Sequence, residues 1–142
     1  MDYDQPRVRE RIQYIETCLG RLESLRTLPS DEFLADFRNV ESAKHLLQTA
    51  IEAMMDIASH ILARRRLPTP HEGAEIFRRL GEAGLLPAER VQTYAQMVRF
   101  RNLLVHLYQE VDAERVYEVL QNDLGDVRRF IAEMWKIVSG RA

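Results

Sequence analysis

Apolar residues recur along this chain at steps of three and four, the period of an α-helix, and no segment alternates with period two for long. Val8, Ile12, Ile15, Leu19 and Leu22 form one such stripe, with Arg9, Glu10, Arg21 and Glu23 outside it. They predict a first helix from about Gln5 to Thr27, with Pro29 just past its end. Ser30 reads as an N-cap, with Asp31 and Glu32 in the following turn, where the helix dipole favours anions. A long second helix, about Asp31 to Arg65, follows from Phe33, Phe37, Val40, Leu47, Ile51, Met54, Ala58, Ile61 and Leu62, and the pattern allows a break near Arg38 to Glu41. Thr69-Pro70-His71-Glu72 reads as a capping box with proline at the first helical position. It opens a short helix to about Glu82, with Ile76, Phe77 and Leu80 inward and Gly81 and Gly84 at its end. Pro87 opens a fourth helix, the third of the main ones, running to about Gln109. Asp112 caps a last helix, Ala113 to Val138, on Val116, Val119, Leu120, Leu124, Val127, Ile131, Met134 and Val138, with Gly125 marking a bend or a close contact. The expected fold is all-α: an antiparallel bundle of four main helices plus one short helix, in a single domain over residues 1–142.

Composition narrows the setting. A hydrophobic content of 46% with 30% charged residues is that of a globular chain rather than a disordered one. Cys18 is the only cysteine, so no intrachain disulfide forms. The opening MDYDQPRVRE is charged and lacks the apolar core of a signal peptide, and no apolar run approaches the roughly 20 residues of a membrane span. A soluble, cytoplasmic protein is expected. A net charge of −2 argues against a bulk polyanion binder, though a local basic cleft stays possible. Apart from Lys44 and Lys136 the basic residues are arginines, which reflects either genomic base composition or the fit of planar forks to phosphate. The runs Arg64-Arg65-Arg66 and Arg78-Arg79 read as solvated helix ends.

The chemistry concentrates in FRNLLVHLY, Phe100 to Tyr108, where an arginine, an asparagine, a histidine and a tyrosine interrupt an apolar helix. At about 100° per residue, Asn102 and His106 share one face, Arg101 and Tyr108 another, and Arg101 and His106 stand roughly 140° apart. A compact site within one chain is awkward, whereas two copies packed about a two-fold axis would bring one chain's arginine to the other's histidine. Structural readings stand beside this one. Arg101 pairing with Asp56 or Glu110, and His106 as a satisfied core histidine, explain the same residues without chemistry. Asp56 and His60, one turn apart, make two metal ligands without a third, so no metal is expected. Asp56 fits better as a partner that hydrogen-bonds a motif residue. Tyr94 and Trp135 read as packing rather than base-stacking residues, and no phosphate-cradling glycine loop occurs.

The segment resembles the Arg-x4-His-x-Tyr motif of the HEPN superfamily, specifically its HepT-like toxins. LLQTAIEAMMDIASHILA, Leu46 to Ala63, is similar to that family's second helix, and EIFRRLGEAGLLP, Glu75 to Pro87, to its short third helix and turn. Three segments in order, over nearly the whole chain, are more specific than the bare Arg/His spacing. Leu107 stands where the family often has a polar residue, and Arg99 where it often has a small one; neither removes a motif residue. The resemblance implies a homodimeric, metal-independent endoribonuclease toxin that uses no cofactor. It implies Arg101 on the scissile phosphate, Asn102 orienting the phosphate or the imidazole, His106 as general base or acid, and attack by the RNA's own 2′-hydroxyl. It further implies a partner nucleotidyltransferase antitoxin that adds AMP to Tyr108. A non-catalytic module that binds such a partner or a nucleotide, and a purely structural helical dimer, are the alternatives.

Overall fold

The computed structural model describes residues 2–68 and 70–140. Among the described residues there are seven α-helices, one 3-10 turn and no strand. They are α1 Gln5–Arg26, α2 Ser30–Ala35, α3 Phe37–Arg64, α4 Gly73–Glu82, α5 Ala88–His106, the turn Tyr108–Glu110, α6 Ala113–Asn122 and α7 Leu124–Ser139. The all-α bundle agrees with the periodicity, but two of the expected long helices are each divided in two.

Both divisions fall on aspartates, whose short acceptor side chains compete with helical hydrogen bonding and favour caps and turns. Asp36 is extended, with φ −120° and ψ 111°, and its carboxylate accepts the Arg38 backbone N–H at 2.9 Å, capping α3. Ser30 is the first residue of α2 rather than its cap, and no side chain caps that helix. The division resets the helical phase, so Phe37, assigned inward by the pattern, is 74% exposed. Asp123 separates α6 from α7 two residues before Gly125. Gly125 has open space where a Cβ would stand, so it marks neither a close contact nor the division itself. Asp112 caps α6 as expected, accepting from the Arg115 N–H at 2.8 Å. The capping box expected at Thr69 to Glu72 begins on a residue outside the described ones. The helix there starts later, at Gly73, with no side-chain cap bond.

Helix α3 runs through the middle and packs against every other α-helix. Small residues on it, Ala43, Ala50, Ala53 and Ala58, are buried and let its neighbours approach. Helices α4 and α5 fold back on each other, and Gly81 permits it: a Cβ there would lie 2.6 Å from Val91 Cγ2. Phe77, Tyr94 and Phe130 interlock with centroid separations of 5.2–5.9 Å. Fully burying side chains of this size stabilises the fold by roughly 1.5–3 kcal/mol each. Phe130 lies off the stripe drawn for the last helix, yet it is fully buried, because α7 packs on more than one neighbour. No helix among the described residues is long and apolar enough to cross a membrane.

Candidate active site

The site is built where the last turns of α5 run beside the stretch of α3 from Glu41 to Glu52. Arg101 is about three-quarters buried at its side chain, and Glu52 of α3 holds it. Its Nε and Nη2 donate to the same Glu52 carboxylate oxygen at 3.0 and 2.7 Å, and Nη1 donates to Asn102 Oδ1 at 3.0 Å. A guanidinium carries five N–H donors. After these three bonds one N–H remains on each terminal nitrogen, an outward pair suited to two oxygens of a phosphate. Glu52 and Asn102 therefore orient the fork, and among the described residues those two remaining donors have no partner.

His106 is the last residue of α5, and its ring is exposed. Among the described residues it has no hydrogen-bond or ion-pair partner, so the core-histidine reading does not describe it. Val105 and Leu107, on either side, are 40% and 46% exposed, an apolar rim around an open imidazole. The helix ends here rather than near Gln109. Leu107 leaves the helical region at φ −133° and ψ 47°, while its N–H still bonds the Leu103 carbonyl at 2.8 Å.

Tyr108 consequently lies in the 3-10 turn, and the shared helical face expected for it with Arg101 does not exist. Lys44 of α3 donates to the Tyr108 carbonyl at 3.0 Å and stands 4.1 Å from the ring centroid. The Tyr108 hydroxyl donates to the Glu41 carboxylate. Partial burial first, and the Glu41 contact second, push this phenol up to about 12.

Asp56 does not take the supporting role expected of it. It pairs with Arg11 of α1 at 3.7 Å, and Glu52, one turn earlier, supplies the contact to Arg101. Four residues advance a helix by about 6 Å and turn it by about 40°, enough to move a side chain from one neighbour to the next. His60 is likewise occupied elsewhere: its Nε2 accepts the Asp4 backbone N–H at 3.1 Å. Burial, and then the nearby Arg64 and Arg7, hold that imidazole below the ordinary histidine value. Among the described residues no three His, Cys, Asp or Glu side chains converge as a metal site. Glu52, Glu41 and Lys44 are the contributors that sequence reasoning missed. The signal was a polar line on α3, Glu41, Lys44, Gln48 and Glu52, at helical spacing. A largely apolar cavity of about 430 Å³ lies elsewhere, between α3, α5, α6 and α7, and contains none of the motif's polar residues.

The all-helical bundle thus brings to the end of one helix an arginine fork and a histidine that has no partner among the described residues. A family model described as Ribonuclease HepT-like matches residues 15–134. The chain belongs to that family. It is similar to the mRNA nuclease HepT of Shewanella oneidensis, 31% identical over 121 residues, covering 85% of this chain and 90% of that one. It is 28% identical over 110 residues to the tRNA nuclease HepT of Aphanizomenon flos-aquae, covering 78% and 75% of the two chains. Among solved structures it resembles a tri-AMPylated Shewanella oneidensis HEPN toxin in complex with an MNT antitoxin. That match has a TM-score of 0.83 and 30% identity, and covers 90% of this chain and 96% of that one.

Proposed function

We propose that this chain is an endoribonuclease toxin acting as one helical domain, in the cytoplasm, and as a homodimer whose cleft combines residues of both copies. The observation that carries this reading is the pairing of unlike neighbours at the end of α5. Arg101 is held by Glu52 and Asn102 and His106, five residues later, is exposed; among the described residues two donors of the first and the imidazole of the second have no partner. The first suits a phosphate and the second a proton. The apolar rim of Val105 and Leu107 around His106 supports a second copy covering that surface.

The chemistry follows from the substrate. RNA carries its own nucleophile, so the protein has only to move protons and stabilise charge. His106 takes the proton of the 2′-hydroxyl, whose oxygen attacks the adjacent phosphorus, and the bond to the 5′-oxygen breaks. A histidine, His106 of the second copy in a composite site, returns a proton to that leaving oxygen. Arg101 binds the equatorial oxygens as their charge grows, and Asn102 orients the fork. The products are a 2′,3′-cyclic phosphate and a 5′-hydroxyl end; DNA, lacking the 2′-hydroxyl, resists.

Control by a minimal nucleotidyltransferase antitoxin is part of this reading, with Tyr108 as the residue that accepts AMP. Two residues from His106, the modification would put bulk and negative charge beside an anion-binding cleft. The test is cleavage of RNA by purified protein in EDTA. We expect His106→Ala to lower the rate by about 10²–10⁴-fold, Arg101→Ala to be similarly impaired, and a mixture of the two variants to regain part of the activity through hybrid dimers. RNA left intact by folded wild-type dimer would refute catalysis and favour the binding-module alternative.

A further inference from the structure

Tyr108 is a half-buried residue of the turn after α5, held by several contacts from α3. Among the described residues Lys44 is the one buried charged side chain, 5% exposed, and both contacts described for its ammonium are to Tyr108. A buried ammonium is tolerated only when its charge is compensated, so α3 places a costly group where it steadies one segment. The same helix, one turn earlier, sets the Glu41 carboxylate against the Tyr108 hydroxyl. Carbonyl, ring and hydroxyl of one residue are thus each engaged by α3, and the carboxylate that receives the hydroxyl proton is itself exposed. Tyr94 shows what such a pair looks like when it serves packing. Its hydroxyl also donates to a glutamate, Glu133, but its ring is fully buried between Phe77 and Phe130, out of reach of any reagent.

We infer that Glu41 is the proton acceptor for nucleotidyl transfer to Tyr108, so that the modified chain supplies part of its own transfer site, with Lys44 as the positioning residue. The inference rests on the reading of Tyr108 as the AMP acceptor. In the step, the Tyr108 oxygen attacks the α-phosphorus of a nucleoside triphosphate. The new O–P bond forms as the bond from that phosphorus to the bridging oxygen breaks, and pyrophosphate leaves with the electron pair. The phenolic proton passes to Glu41 and from there to water; nothing is oxidised or reduced. A base in contact is needed because the free phenolate is scarce. With the phenol pushed up to about 12, only about one molecule in 10⁵ is ionised at pH 7. The proton must therefore leave during attack, the situation in which a positioned carboxylate accelerates. The ammonium beside the ring favours the negative charge that develops on it.

The test uses the full chain with adenosine 5′-phosphorimidazolide and Mg²⁺, an activated AMP donor that needs no partner enzyme, and maps labelled tyrosines by peptide mass spectrometry. Tyr14, 43% exposed, is the internal reference. We expect Tyr108 to label at least about tenfold faster than Tyr14, and Glu41→Gln to bring it down to the Tyr14 rate while Tyr14 is unchanged. The Glu41→Gln rate should also climb more steeply with pH, since it then depends on free phenolate, and Glu41→Asp should recover part of the wild-type rate. Tyr108 labelling no faster than Tyr14, or Glu41→Gln labelling like wild type, would overturn the inference and leave the acceptor reading standing. Tyr108→Phe taking AMP from its nucleotidyltransferase as fully as wild type would remove both.

Discussion

The two halves of the segment from Ala88 to Glu110 do opposite work with the same residue types. In the first half Tyr94 is sealed in an aromatic cluster, its hydroxyl on Glu133, and Arg90 pairs with that same glutamate at 3.3 Å. In the second half Arg101 pairs with Glu52, and the Tyr108 hydroxyl bonds Glu41. Each half contains an arginine and a tyrosine with glutamate partners. What differs is the setting: Tyr94 is fully buried, whereas in the second half, among the described residues, two N–H donors of Arg101 and the exposed imidazole of His106 have no partner. In the proposed reading, function depends on hydrogen-bonding capacity left unused at the surface, not on the polar residues as such.

That contrast can be broken by substitution. Tyr94→Ala should cost about 3–5 kcal/mol, enough to unfold a marginal domain. Tyr108→Ala should cost no more than about 1 kcal/mol, the scale of one exposed hydrogen bond; paired urea melts compare them. Equal losses would mean that the turn after α5 is as structural as its first half. Glu52→Gln keeps the shape of the contact and removes its charge. It should lower kcat/KM for RNA about tenfold by loosening Arg101, with melting temperature nearly unchanged, because a partly exposed ion pair contributes little to stability. A large fall in melting temperature without a kinetic effect would move Glu52 into the structural half.

The smallest expected effect separates the site from the far end of α3. His60 has its imidazole held below the ordinary histidine value by burial, so the unfolded chain binds that proton at a higher pH than the folded one. Stability from this group is present above about pH 6.5 and is lost as pH falls through the folded value. Between about pH 7 and pH 5 the wild type should lose more melting temperature than His60→Gln, while the pH profile of RNA cleavage should be the same for both. A profile altered by His60→Gln would tie the two ends of α3 together.

Much of the architecture was legible in the order of residues. The stripe in α1 is buried throughout, and Asp112 caps α6. These are local matters: period and cap chemistry act within a turn. The divisions at Asp36 and Asp123 were less legible, because an aspartate in a helical pattern is equally an exposed helix residue until tertiary packing favours a turn. Of the site, Arg101, Asn102, His106 and Tyr108 stood out as polar groups in an apolar segment. Their partners did not, since Asp56 and Glu52 both lie on the polar side of α3 and differ by one turn.

The sequence by itself determined that the chain forms helices, which face α1 buries, and where a cation, an imidazole and a phenol follow one another, because periodicity and spacing are properties of a single segment. Only the tertiary structure decided which carboxylate holds Arg101, that α5 stops at His106, and that Tyr108 turns back onto Glu41 and Lys44. Those outcomes depend on the rotation of α3 against α5. That angle is set by the packing of many buried side chains at once, and no local stretch of residues contains it.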